Sequence, residues 1–248
     1  MSAFLTMVRI SFRQLLGRKW VILIGLVGLL PTVIMVVLTR TQAVGRLSAD
    51  FSEGPLLTLF IFVLPLTSIL LGSIALGEER RDGTLSFLML RPRRRETVVA
   101  AKLTAAWLAA WLISGASGVL AATVLGAASG VWRMVVPVIV ATGLSTLAYV
   151  SVFLLVGYLT RWAVLIGAGF LFFWETGVAA AADSLANISL FRIGLTAYAS
   201  MVSETPRAVD DVLGALEPGT GGAVLKSLAI AIFCVVAVSF LMRRRDLA

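Results

Sequence analysis

The sequence contains no histidine and a single cysteine, Cys234, among its 248 residues. Without histidine the chain lacks the usual general base, the commonest metal ligand and any Ser–His catalytic pair. A single cysteine cannot form an intramolecular disulfide, and within an apolar run it is expected to be a small packing residue. The nucleotide-binding motifs GxxxxGK[ST] and GxGxxG are also absent from the sequence. We therefore expect a chain that is not an enzyme and that binds no cofactor or metal of its own.

Charged residues are scarce as well, at 14% of the chain, whereas hydrophobic residues make up 59%. A soluble domain has about 25% charged residues, so this chain has too little polar material to cover a soluble surface. Six apolar runs each have the length of ~20 residues that a helix needs to cross a bilayer. These runs are 20–39, 55–77, 103–127, 135–159, 162–182 and 223–242. Since the alternating pattern of a membrane barrel is missing, we predict an all-α polytopic membrane protein with six transmembrane helices.

Basic residues are distributed unevenly between the two sides that this topology defines. With both termini on one side, that side receives 15 of the 21 Lys and Arg residues and the other side receives 6. An excess of positive charge belongs in the cytoplasm, so we expect a multi-pass chain with both termini cytoplasmic. The net charge of +8 is therefore mainly a topology signal and partly an attraction to anionic membrane lipid. No soluble basic domain is present, so nucleic acid is not an expected partner.

Two segments outside the spans are also predicted to be helical. Residues 3–19 place apolar side chains on one helical face, with Arg9 and Arg13 on another. This pattern is typical of a basic interfacial helix that lies along the membrane. A cleaved signal peptide is the alternative, but no small-residue cleavage site closes the apolar run. Residues 183–222 are too apolar for a free loop and too polar to span, so we expect short outer helices between the fifth and sixth spans.

Glu175 is the one ionisable residue that lies well inside a predicted span. A charge at that depth costs about 3 kcal/mol, so such a residue normally faces protein or water and has a partner. One interpretation is a translocation-path or gating residue. The other, which we favour, is a structural hydrogen bond between helices.

The predicted cytoplasmic loop 78–102 has an apolar run between two charged clusters, in the stretch GEERRDGTLSFLMLRPRRRE. Asp82 and Gly83 can begin a new helix at Thr84, and Pro92 ends it. A largely apolar helix inside a charged rim has the composition of a protein interface. Its large apolar residues are Leu85, Phe87, Leu88 and Leu90. A solvated loop whose arginines only enforce topology is the alternative, but that interpretation does not account for the apolar run.

The segment from Glu79 to Leu85, followed by Pro92, Arg95 and Lys102, resembles the E-R-x-x-G-T-L…P-x-x-R…K signature of ABC-2 type transporter permeases. In that family the signature lies in the first cytoplasmic loop, between the second and third spans, as it does here. The six-span layout, the basic N-terminal helix and Trp174-Glu175 are similar to the family too. The resemblance implies that residues 1–248 form a single ABC-2 type transmembrane domain in a prokaryotic cell (inner) membrane.

The loop of this family carries a coupling helix that docks on a separate cytoplasmic ATPase subunit. By resemblance, the residues expected to couple to the ATPase are Glu79, Gly83, Thr84, Leu85, Phe87, Leu88, Leu90, Pro92 and Arg95. The family's complex implies two ATPase subunits, which bind ATP and Mg²⁺, and a second permease copy or paralogue.

The expected function is thus a permease subunit of an ABC transporter, with export as the family's commonest direction. Two alternatives stay open. One is an ATPase-driven scaffold or mechanical transmitter that acts on an extracytoplasmic protein, and the other is an energy-independent channel or carrier.

Overall fold

The computed structural model of the chain describes residues 3–17, 19–81, 95–178, 189–202, 206–214 and 219–245. Within these ranges every element of regular secondary structure is helical, which confirms the all-α class. A helix satisfies its backbone hydrogen bonds within one segment, as a membrane requires. Five helical segments are long and apolar enough to cross a bilayer: Val21–Thr41, Val44–Glu79, Arg95–Ser129, Trp132–Leu159 and Thr220–Arg243.

The described residues up to Arg81 contain five α-helices. They are α1 (Ala3–Leu16), α2 (Lys19–Val27), α3 (Leu30–Thr41), α4 (Leu47–Phe51) and α5 (Leu64–Arg81). Two π-helical segments, Ser52–Leu56 and Leu59–Val63, keep the chain helical between α4 and α5. The helical segment that contains the predicted second span, 55–77, therefore begins before Pro55. Proline removes one backbone donor, and the wider turn of a π-helix accommodates the missing hydrogen bond.

From Arg95 onward, the described residues contain six further α-helices. They are α6 (Arg95–Ser129), α7 (Val135–Leu159), α8 (Ala163–Gly169), α9 (Leu190–Met201), α10 (Arg207–Leu213) and α11 (Thr220–Arg245). The predicted fifth span, 162–182, contains a shorter apolar helical stretch, Ala163–Trp174, and its last residues lie outside the described ranges. Five of the six predicted spans therefore overlap described helices that are long and apolar enough to cross a membrane. The six-span layout stays a prediction.

Helix α1 is amphipathic, as its sequence pattern predicts. Val8, Ser11 and Leu15 are buried against the rest of the protein, whereas Arg9 and Arg13 are exposed. Leu15 belongs to an apolar cluster with side chains of several other helices, so α1 is fixed to the bundle. Its alignment along a membrane surface stays a prediction.

The closest helix packing joins α5 to α7. A Cβ atom added at Gly157 of α7 would lie 2.3 Å from the carbonyl oxygen of Ser73 in α5. One added at Gly77 of α5 would lie 2.7 Å from the carbonyl oxygen of Gly157. Small residues at such positions let two backbones approach directly. The two helices therefore behave as one body, whose separation is set by backbone atoms and not by side chains.

A hydroxyl group of α7 holds α9 against it, where the two helices are also in close contact. The Ser145 Oγ of α7 accepts a hydrogen bond from the Gly194 backbone N–H at 2.9 Å and donates one to the Phe191 carbonyl at 3.1 Å. Burial raises the pKa of Tyr198, also in α9, to about 12. Its hydroxyl therefore stays protonated and donates to the Met134 sulfur at 3.2 Å. These bonds attach a helix of 12 residues, too short to span, to the centre of the bundle.

Substitution of Gly157 by alanine tests the α5–α7 contact. The added methyl group would meet the backbone of Ser73, which cannot rotate away as a side chain could. Overpacking of this kind costs about 1–3 kcal/mol. We expect Gly157→Ala to lower the thermal unfolding temperature of the purified protein in detergent, measured by the loss of monodisperse protein on size-exclusion chromatography.

Gly169→Ala is the matched control, because a Cβ atom at Gly169 has no neighbour within 4 Å. Alanine stabilises a helix by about 0.5–1 kcal/mol relative to glycine. The unfolding temperature of this variant should stay the same or rise slightly. An equal fall for both glycine variants would contradict the proposed role of the backbone contact.

Candidate functional site

The stems of the predicted coupling loop are the last turns of α5 and the first turns of α6. Residues 82–94 connect them and lie outside the described residues, so the site is built from what anchors both ends of that segment. Glu79 lies in the last turn of α5, and Lys102 lies about two turns into α6. Each side chain leaves its helix on the side that faces the other helix.

An ion pair joins these two stems. The Lys102 ammonium donates a hydrogen bond to the Glu79 Oε1. The Lys102 side chain is 9% exposed and that of Glu79 is 20% exposed, so the pair is largely removed from water. The cation also lies near the C-terminal end of α5, where the helix dipole favours positive charge. A buried pair is sensitive to loss of one partner, because the remaining charge is then uncompensated.

A second, more exposed ion pair ties the start of α6 to the end of the chain. Arg243 of α11 donates a hydrogen bond to the Glu96 carboxylate. The side chains are 62% and 41% exposed, so this pair contributes little to stability. Glu96 stands in the first turn of α6, where the helix dipole favours an acidic residue. The pair therefore marks where α11 meets the stem.

A cluster of apolar side chains, here called the stem cluster, connects the two stems with three other helices. It contains Leu15 of α1, Leu76 of α5, Val99 and Leu103 of α6, Tyr158 of α7 and Met242 of α11. All of these side chains are buried. Because close-packed interiors transmit displacement instead of absorbing it, movement of either stem would be felt by all five helices.

In a comparison with family models, residues 13–176 match the ABC-2 family transporter protein. The match covers about two thirds of the chain and includes both stems and the loop between them. The chain belongs to the ABC-2 family of transporter proteins. No curated protein matches it at a significant level.

The described part of this ABC-2 family protein contains two of the predicted coupling residues. Glu79 pairs with Lys102, and Arg95 begins α6 in a half-buried position. The expectation that they contact an ATPase stays a prediction. The others lie outside the described residues: Gly83, Thr84, Leu85, Phe87, Leu88, Leu90 and Pro92.

Glu175 lies in the π-helical segment Phe170–Val178, and its side chain is outside the described part of the structure. Both interpretations of this residue therefore stay untested. The preceding Trp174 stacks on Phe170 with ring centroids 6.3 Å apart. An aromatic contact thus fixes the turn that leads to Glu175.

The sequence interpretation did not find the two ion pairs. Lys102 was noticed as the last residue of the family signature, but nothing indicated that it pairs with Glu79. Glu79 and Lys102 are 23 residues apart, and a loop lies between them. Helical periodicity therefore gives no information on whether they meet. Glu96 and Arg243 are 147 residues apart and had no sequence signal at all.

Loss of the buried pair should destabilise the stems. Lys102→Met removes the cation and leaves the Glu79 carboxylate uncompensated, at a cost of roughly 2–4 kcal/mol. Glu79→Gln in the same chain removes that charge, so the double variant should recover much of the lost stability. A double-mutant cycle on thermal or SDS-induced unfolding measures this coupling.

Arg243→Gln is the control for this cycle, because it breaks the exposed pair with Glu96. Exposed pairs contribute at most about 1 kcal/mol, so this variant should resemble the unmodified protein. Additive effects of Lys102→Met and Glu79→Gln would show that the buried pair does not connect the stems energetically.

Proposed function

We propose that this chain is the permease subunit of an ABC transporter, and that it exports its substrate from the cytoplasm. Membership of the ABC-2 family supports the permease role. Two separate ATPase subunits hydrolyse ATP, and the chain acts with a second permease copy or paralogue. The observation that carries the proposal is the buried Glu79–Lys102 pair, which binds the two loop stems to each other.

The proposed coupling begins in residues 82–94. An ATPase that displaces this segment would displace both stems together, because their ion pair and the stem cluster oppose independent movement. The stems belong to spans, so the displacement enters the membrane along α5 and α6. Leu85, Phe87 and Leu88 are the anchors that we propose for the ATPase.

The movement then passes from α5 to α7. Their backbones touch at Gly157 and Ser73, which leaves no side-chain layer that could absorb a displacement. Helices α6, α9 and α11 also pack on α7. A push on one stem would therefore tilt the bundle around α7, which is the kind of rigid-body motion that alternating access requires.

The exposed faces of the first and last spans suit contact with lipid and a second permease. Ile22 of α2 is 69% exposed, and Leu225 and Phe233 of α11 are 71% and 67% exposed. Large apolar residues exposed in such numbers mark a membrane or protein interface. A permease pair could use part of either face.

Substitution in the apolar run tests the coupling. Phe87→Asp or Leu88→Asp would place a charge in a desolvated interface. We expect normal membrane insertion and at least about tenfold weaker binding of the ATPase. Co-purification of the ATPase with the permease, with transport assayed in parallel, measures this loss.

Thr97→Asp serves as the control, because it adds the same charge in the first turn of α6, where the helix dipole tolerates it. It should retain the ATPase. Full retention of the ATPase and of transport by Phe87→Asp would overturn the proposed docking, and transport without any ATPase would favour a channel or carrier.

The orientation has its own test in a Cys234→Ala background. Asp211 is exposed on α10, and Asp211→Cys should react with a membrane-impermeant maleimide added to whole cells. Arg94→Cys should react only after the membrane is opened. The opposite pattern would reverse the orientation that the distribution of basic residues predicts.

A further inference from the structure

A groove of about 690 Å³ runs between α1 and the α6–α7 pair. Its walls are aliphatic and aromatic, with Leu5, Val8 and Phe12 from α1 and Leu108, Leu112 and Val119 from α6. Among the described residues that line the groove, Arg9 is the only one that carries a charge. A long apolar space with one cation beside it has the form of an amphiphile site.

Trp111 lines the groove, and its indole nitrogen already has a partner within the protein. The Trp111 indole N–H donates to the Ile139 carbonyl at 3.1 Å, and Trp107 donates to the Gly143 carbonyl at 2.9 Å. The two rings stack with centroids 5.4 Å apart. The wall therefore offers carbon surface and no free hydrogen-bonding group at Trp111. Such a surface favours a hydrocarbon chain over a polar solute.

The length of the groove matches one leaflet of a bilayer. Leu108 and Val119, which line it, are separated by about 16 Å along α6 at 1.5 Å per residue. The hydrocarbon core of a bilayer is about 30 Å thick, so one leaflet accounts for about 15 Å. An extended acyl chain of a phospholipid would therefore lie along the groove for most of its length.

Arg9 lies at the end of the groove that is nearer to the loop stems. Val8 packs with Ala101 and Ala105 of α6, one to two turns before Leu108. Arg9 is exposed, and no carboxylate among the described residues forms an ion pair with it. A guanidinium group in this position matches the geometry of a phosphate.

From this geometry we infer that the groove binds one acyl chain of an anionic phospholipid, whose phosphate contacts Arg9. The lipid belongs to the leaflet on which α1 lies. It fills a space that no described side chain occupies, and it joins α1 to α6 beside the stem that carries Lys102. The inference does not depend on the proposed ATPase or on the direction of transport.

The test uses the full chain, purified and stripped of lipid by a delipidating detergent. Dioleoylphosphatidylglycerol or dioleoylphosphatidylcholine is then added, and bound lipid is counted by native mass spectrometry. We expect one phosphatidylglycerol per chain, at concentrations where phosphatidylcholine binds much less. Arg9→Gln should weaken phosphatidylglycerol binding about fivefold, the effect of one basic residue near an anionic headgroup, and leave phosphatidylcholine unchanged.

A second variant blocks the groove itself. Ala116 is exposed on α6 and lines the groove, so Ala116→Trp should abolish binding of both lipids. Ala116→Leu, a smaller change, should reduce binding if the tryptophan variant does not fold. Normal binding in these variants would place the lipid elsewhere and overturn the inference.

Two matched controls complete the design. Arg13→Gln removes a cation one turn further along α1 that does not line the groove, and Ala127→Trp adds the same bulk at an exposed position of α6 outside it. Both should bind lipid as the unmodified chain does. Equal losses for Arg9→Gln and Arg13→Gln would indicate diffuse charge attraction and overturn the site. A disulfide-linked dimer of Ala116→Cys in the Cys234→Ala background would show that a second copy covers the groove, which also overturns it.

Discussion

The rest of the fold depends on the direct backbone contact between α5 and α7. Gly157 allows this contact because a Cβ atom there would overlap the Ser73 carbonyl group. In lipid, apolar side chains gain little by leaving the solvent, so helix association relies on close packing. Once α5 and α7 are fixed together, α7 presents its other faces to α6, α9 and α11. The contact therefore lies at the centre of the bundle, and it is the route that we propose for movement from α5.

The polar interactions divide into those that fix the core and those that fix the loop stems. Ser145 connects α9 to α7 through hydrogen bonds with the backbone of Gly194 and Phe191. The Glu79–Lys102 pair holds α5 and α6 where the chain leaves the bundle. Both use buried polar groups whose partners are supplied by another helix. A buried group without such a partner would cost free energy, so these contacts restrict how the helices can be arranged.

The outer surface of the bundle shows where further molecules can bind. The first and last spans expose large apolar side chains, as expected of surfaces that meet hydrocarbon or another membrane protein. The groove beside α1 differs from these convex faces, because it is concave and has a cation at one end. A convex apolar face accommodates any lipid, whereas a groove of leaflet length can retain one particular molecule.

The sequence by itself determined the class of the protein and most of its spans. Long apolar runs with few charges require helices in a membrane, and 135–159 coincides with α7. The sequence did not show that the helix of the second span continues before Pro55, where the chain stays helical through the segment Ser52–Leu56. The family signature around Glu79 was also visible in the sequence, and the family match is consistent with it.

Tertiary structure alone decided which residues meet. Glu79 and Lys102, Glu96 and Arg243, and Gly157 and Ser73 come from different helices. Hydropathy and periodicity describe one helix at a time, and they give no information on the rotation of that helix relative to its neighbours. The amphipathic pattern of α1, for example, does not show how deep the helix lies in the membrane or which helix it contacts. The rotation of each helix depends on where small residues allow two backbones to approach and where buried charges find partners. The ion pairs, the stem cluster and the groove therefore exist only in the assembled bundle.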